Sequence, residues 1–118
     1  MILVDTSVWV DHLRHGNDRL RELLHDDLVW IHPFVIGELA CGNLRNRDEI
    51  LGLLAALPEV EPAGHDEVLH LIDAENLPGK GLGWVDIHLL ASARLSGCRI
   101  WTRDKVLAAV AARMRLSL

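Results

Sequence analysis

With 118 residues, half of them hydrophobic, the chain has material for one domain built on one core, expected over 1–118, and not for a second. No apolar run approaches the roughly 18 to 20 residues that span a bilayer, and Met1 to Asp5 lacks the basic start of a secretion signal, so a soluble, cytoplasmic protein with no membrane span is expected. Twelve basic against 17 acidic residues give a formal charge of −5, which argues at first sight against a polyanion as partner. Met1 to Val4 is a short apolar run suited to a buried strand, and Thr6 to Arg14 follows with Val8, Trp9 and Leu13 at helical intervals. Gly16 and Asn17 break that helix, and Asp18 is read as the cap of a second, with a stripe of Leu20, Leu23 and Leu24. Leu28 to Ile31 is the next strand. Pro33 suits the first turn of a helix running through Val35, Ile36, Leu39 and Ala40 to Gly42, with Glu38 in its middle.

Asn46, followed three residues on by Glu49, has the spacing of a capping box and opens a helix over Ile50 to Ala56. Leu57 to Val60 reads as a short strand, and His65 to Glu75 as a helix with Val68, Leu69, Leu71 and Ile72 on one face. Asn76 to Gly83, with Pro78 and three glycines, is the chief loop. Trp84 to Leu95 is a nearly apolar helix, Arg99 to Trp101 a strand, Asp104 to Ala112 a helix and Met114 to Leu118 an edge strand. Strands alternating with helices predict an α/β fold with right-handed crossovers and a parallel sheet of four to five strands covered on both faces. Cys41 and Cys98, far apart and among apolar or small neighbours, read as reduced thiols.

In such a sheet the ligand crevice lies beyond the carboxyl ends of the strands, where strand order reverses. Asp5 follows the first strand directly and Asp104 follows Arg99 to Trp101 after two residues, while Glu38 and Asp86 project from flanking helices. Carboxylate oxygens are preferred ligands of Mg²⁺ and Mn²⁺, so an edge that gathers these four is a candidate metal site for hydrolysis of a phosphate ester. Each acid also has an ordinary role open to it: Asp5 and Asp104 as helix caps, Asp86 as a first-turn carboxylate, Glu38 as surface. Together they are harder to explain that way. Carboxylates about 4 Å apart repel by about 4 kcal/mol at an effective dielectric near 20, against a total stability of roughly 5 to 15 kcal/mol for a small domain.

Set aside those four charges and the rest of the chain is close to neutral. Arg45 with Arg47, and Arg103 with Lys105, lie near two of the acids and are candidates for holding flanking phosphates, with ordinary surface charge as the alternative. The seven histidines form no zinc-binding spacing, and His88, two residues after Asp86, falls on the other side of its helix. Trp9 and Leu13 belong either to the core or to a partner surface.

Three stretches resemble a known family. Ile2-Leu3-Val4-Asp5-Thr6-Ser7-Val8-Trp9, then Val35-Ile36-Gly37-Glu38-Leu39, then Gly81-Leu82-Gly83-Trp84-Val85-Asp86-Ile87-His88-Leu89-Leu90-Ala91 continuing to Trp101-Thr102-Arg103-Asp104, resemble PIN-domain proteins across essentially the whole chain. Within that family the chain is similar to the VapC-type toxins of bacterial toxin–antitoxin pairs. The resemblance implies a PIN-like three-layer α/β/α sandwich and a Mg²⁺- or Mn²⁺-dependent endoribonuclease. Its catalytic, metal-binding acids match Asp5, Glu38, Asp86 and Asp104, with Thr102 and Ser7 as auxiliary residues. It also implies an RNA substrate, a cognate antitoxin and a homodimer. His32 departs from the pattern, because similar proteins often open the Glu38 helix with Ser or Thr. Two alternatives come from other classes: a metal- or antitoxin-binding module without catalysis, and a receiver-type phosphoacceptor, which would want an acidic pair that Asp5-Thr6-Ser7 does not supply.

Overall fold

The computed structural model describes residues 1–118. Its elements in chain order are β1 (Ile2–Val4), α1 (Thr6–His15), α2 (Asp18–His25), β2 (Val29–Trp30), α3 (Pro33–Ala40), α4 (Arg47–Ala55), α5 (His65–Ala74), α6 (Trp84–Ser96), β3 (Arg99–Trp101) and α7 (Lys105–Arg113). The strands form one parallel sheet in the order β2-β1-β3, with Leu3 level with Trp30 on one side and Ile100 on the other. Successive side chains of a strand point to opposite faces, and Ile2, Leu3 and Val4 are all buried, so both faces of β1 are covered. That is why the first strand reads as an unbroken apolar run and not as an alternating one. β1 has its neighbours on both sides, which puts the reversal of strand order at its carboxyl end, where Asp5 begins.

The sheet has three strands, not the four to five expected. Leu57–Val60 and Met114–Leu118 reach it only through single parallel bridges, Ile31 with Glu59 and Ile100 with Ser117. Around Ile31 the chain makes two bonds, from its N–H to the Pro58 carbonyl and from the Val60 N–H to its own carbonyl, both 2.9 Å. Pro58 has no N–H with which to extend the ladder. At the other edge Met114 still caps α7 and Arg115 takes a left-handed φ of 60°, so extended chain starts only at Leu116.

The helix ends show where local signals were misread. Asn17, not Asp18, caps α2, its side-chain oxygen accepting from the Leu20 N–H at 2.9 Å. Asn46 sits at φ 53°, makes no side-chain cap, and α4 starts at Arg47, so the expected capping box is not formed. A capping box needs extended backbone at its first residue, and Asn tolerates the left-handed alternative. Trp9 is core, 3% exposed, and Leu13 packs against the same core, so Trp9 is not part of a partner surface. At the end of α6 the Gly97 and Cys98 N–H groups bond back to the Arg94 and Ala93 carbonyls, with Gly97 at φ 67°, a left-handed turn that delivers the chain into β3.

His32 does cap α3. Its Nδ1 accepts the Phe34 N–H at 2.9 Å, which assigns the proton to Nε2, and Nε2 donates to Ser92 Oγ at 3.1 Å. Ser92 Oγ also accepts the Ala63 N–H at 3.0 Å, tying α3, α6 and the entry to α5 together. Burial, with the nearby His88 as a smaller cause, lowers the His32 pKa to about 4 from 6.5. A histidine that resists protonation when folded contributes stability that is complete above 6.5 and lost as pH falls towards 4. Denaturant unfolding is expected to show stability falling by up to roughly 3 kcal/mol between pH 7 and pH 4 from this residue. His32→Asn, which can still cap, should flatten that dependence, and an unchanged slope would show that His32 does not set it.

Candidate active site

Asp5 emerges from the buried end of β1, and its N–H continues the ladder by bonding to the Trp101 carbonyl at 2.9 Å. This bond holds the start of α1 against the segment leading to α7. Asp5 is 6% exposed, and its Oδ2 accepts from Thr102 Oγ1 at 2.7 Å and Ser7 Oγ at 2.8 Å. Both hydroxyl oxygens are engaged from behind. Thr102 Oγ1 accepts the Asp104 N–H and Ser7 Oγ the Arg103 N–H, each at 3.0 Å. The hydroxyl protons are therefore directed at Asp5, and both converge on Oδ2, leaving Oδ1 for a ligand. Hydroxyls from residues 95 positions apart thus share one oxygen, and the two hydroxyls expected to be auxiliary are the ones that orient Asp5.

The other three acids come from separate helices. Glu38, on α3, accepts from Thr6 Oγ1 at 2.6 Å, a contact that joins α1 to α3. Thr6 was not singled out from sequence, although it lies in the run Asp5-Thr6-Ser7 at the sheet edge, where every hydroxyl opens α1. Asp86, in the first turn of α6, accepts the Gly83 N–H at 2.9 Å. Asp104 caps α7 by accepting the Leu107 N–H at 3.0 Å, so its ordinary structural role is real and coexists with its place at the edge.

Electrostatics relates the four. The Asp86 carboxyl is pushed above the usual aspartate range, first by burial and then by Asp5, Asp104 and Glu38, against the lowering effect of its bond to Gly83. Asp86 therefore lies within electrostatic reach of each of the other three acids. They are not packed together: no three acid, histidine or cysteine side chains stand close enough to hold an ion as they lie. Their hydrogen bonds show where they turn: Asp86 and Asp104 accept from N–H groups at the starts of their own helices, and Glu38 from Thr6 of α1. The donor set itself, four hard carboxylate oxygens with no thiolate or imidazole among them, fits a cation such as Mg²⁺ or Mn²⁺.

The basic pairs divide. Arg47 donates to the Ala40 and Gly42 carbonyls at the end of α3, at 2.6 and 3.3 Å, which makes it a helix-end clamp. Arg103 is paired with Asp11 of α1 at 2.5 Å, a partner that the sequence reading missed. Arg45 and Lys105 are exposed and make no ion pair. His88 lies away from the acids, buried against Phe34 and Trp84.

Residues 2–113 match the PIN domain family. The chain belongs to that family. Two relatives from Mycobacterium tuberculosis, strains CDC 1551 / Oshkosh and H37Rv, both named Ribonuclease VapC32, are 52% identical over 119 residues, covering 100% of this chain and 96% of theirs. The crystal structure of PAE2754 from Pyrobaculum aerophilum shares the fold with a TM-score of 0.62 at 22% identity, over 92% of this chain and 78% of that one. This PIN domain is thus no receiver-type phosphoacceptor. PIN-domain ribonucleases of the VapC kind generally depend on a divalent metal ion.

A carboxyl with raised proton affinity in the fold favours the folded state only while protonated, so ionised Asp86 costs stability above its folded pKa. Asp86→Asn is expected to melt at a higher temperature than wild type at pH 7 in chelator, the gap closing as pH falls through the Asp86 pKa. Added Mn²⁺ should reverse the order by favouring wild type. Differential scanning fluorimetry reads both effects, and a lower melting temperature for Asp86→Asn in chelator at pH 7 would contradict the crowding of charge.

Proposed function

We propose that the chain is a VapC-type endoribonuclease that hydrolyses RNA phosphodiester bonds at the edge marked by Asp5, with Asp5, Glu38, Asp86 and Asp104 holding Mg²⁺ or Mn²⁺. The observation that carries the reading is the double hydroxyl grip on Asp5 Oδ2, which orients the opposite oxygen outward at the point where strand order reverses. The electrostatic influence of Asp5, Asp104 and Glu38 on Asp86 and the 52% identity to proteins named Ribonuclease VapC32 support it. When bound, the ion supplies a lowered pKa for the attacking water and neutralises charge developing on the phosphate.

The chain's own residues do the rest by position. Thr102 and Ser7 fix the Asp5 carboxylate before substrate arrives, which removes reorganisation from the reacting step. Thr6 does the same for Glu38. Arg45 and Lys105 are free to meet flanking phosphates, and contacts of this kind position a nucleic acid without reading its sequence. The same reading carries the remaining expectations: one PIN-like domain layered α/β/α, a cytoplasmic homodimer, and a cognate antitoxin that restrains it. No helix is long and apolar enough to cross a membrane, which agrees with that location.

Incubation of total RNA with the protein and Mg²⁺ or Mn²⁺, with mapping of cut ends, tests the assignment. Asp5→Asn is expected to lower cleavage by roughly a hundredfold or more. Ser7→Ala and Thr102→Val should each cost roughly 10- to 100-fold, as losses of ligand-orienting partners do. Equal cut-end yields from wild type and Asp5→Asn would remove the site, and a wild type that binds Mn²⁺ but cuts no RNA would favour the binding module without catalysis.

A further inference from the structure

The starts of α3 and α6 carry an aromatic surface that the proposed chemistry does not use. Phe34 opens α3 and Trp84 opens α6, and both remain 39% exposed. Between them, 5% exposed, sits His88, with ring centroids 4.6 Å from Phe34 and 4.7 Å from Trp84, and His65 flanks Trp84 at 5.2 Å. Neither nitrogen of His88 has a hydrogen-bond partner. The imidazole meets the Trp84 ring at 79°, and a neutral imidazole carries an acceptor nitrogen that no N–H in the chain reaches. A buried acceptor without a donor is costly and calls for an explanation.

The patch meets the candidate active site through α3. Phe34 is one turn before Glu38 on α3, on the same face, whereas Trp84 and His88, each two residues from Asp86, lie on the other side of α6 from that carboxylate. We infer that Phe34, Trp84 and His88 form a subsite for one unpaired nucleobase of the RNA, an inference that rests on the ribonuclease reading. The base parts the two exposed rings, stacks on them, and presents a ring or exocyclic N–H to the free acceptor of His88. Two features favour a base over an apolar surface such as a second copy of the chain. A base is flat and stacks on aromatic side chains whatever its sequence. It brings the N–H donor that His88 lacks, which apolar side chains do not.

The test uses the full chain in the Asp5→Asn background, so that RNA is bound but not cut, with short single-stranded oligoribonucleotides and one abasic oligonucleotide as probes. Intrinsic fluorescence is expected to quench on binding, with the quench reduced in Trp84→Phe, which keeps a stacking ring, and affinity to fall roughly tenfold or more in Trp84→Leu and for the abasic probe. His88→Phe keeps the ring packing and removes the acceptor, so it should retain binding to every base but lose preference among them. If Trp84→Leu binds all probes as tightly as Trp84, the subsite is wrong while the ribonuclease reading stands. If Trp84→Leu instead turns a dimer into a monomer of unchanged RNA affinity by analytical ultracentrifugation, the patch joins copies of the chain and the inference is overturned. Failure of the metal-supplied wild type to cut RNA at all would strike the ribonuclease reading, a separate result.

Discussion

The carboxylate of Asp5 is the point on which the site depends. It is held by a backbone bond that extends the β1–β3 ladder and by two hydroxyls that belong to α1 and to the approach to α7. Each hydroxyl is itself fixed by an N–H at the start of α7, so the carboxylate, the end of β3 and the cap of α7 form one connected unit. Burial makes these bonds matter more, because a nearly inaccessible polar group without partners is costly. Two donors on one oxygen leave the other free of any bond within the chain.

The remaining acids answer to a balance between mutual repulsion and local donors. Asp86 and Asp104 have found donors at the starts of their own helices and Glu38 one in Thr6 of α1, which keeps the negative charges near one edge without forcing them into contact. The raised proton affinity of Asp86, set first by its burial and then by the charges of Asp5, Asp104 and Glu38, is the kind of strain a divalent cation relieves. On the proposed assignment a net acidic protein can act on a polyanion, since the acids are concentrated where a bound ion would neutralise them. Arg103, which looks from sequence like a phosphate contact, spends part of its charge on Asp11, so fewer free cations surround the site than the sequence suggests.

Much of this was legible in the sequence for physical reasons. The apolar run Ile2–Val4, the glycine breaks and the apolar helix beginning at Trp84 each depend on local composition, and each element appears within a few residues of its expected place. What failed depended on backbone angles or on partners far away. The edge strands collapsed to single bridges because Pro58 lacks a donor and Arg115 turns left-handed, and the Asn46 box was lost to a positive φ. His32 could be flagged as unusual from sequence, but its capping bond and its link to Ser92 appear only once α3, α5 and α6 are packed. Thr6 with Glu38 and Asp11 with Arg103 were invisible for the same reason: nothing in local spacing relates residues 32 and 92 positions apart.

The central claim is that these four acids serve one ion. Anomalous scattering from a crystal soaked in Mn²⁺ measures it most directly. The account predicts a peak at the edge of β1, touching Asp5 through the oxygen not held by Ser7 and Thr102, with the Asp86 and Asp104 side chains drawn towards it. Manganese bound elsewhere on the surface, with those carboxylates still turned to their own helices, would contradict it.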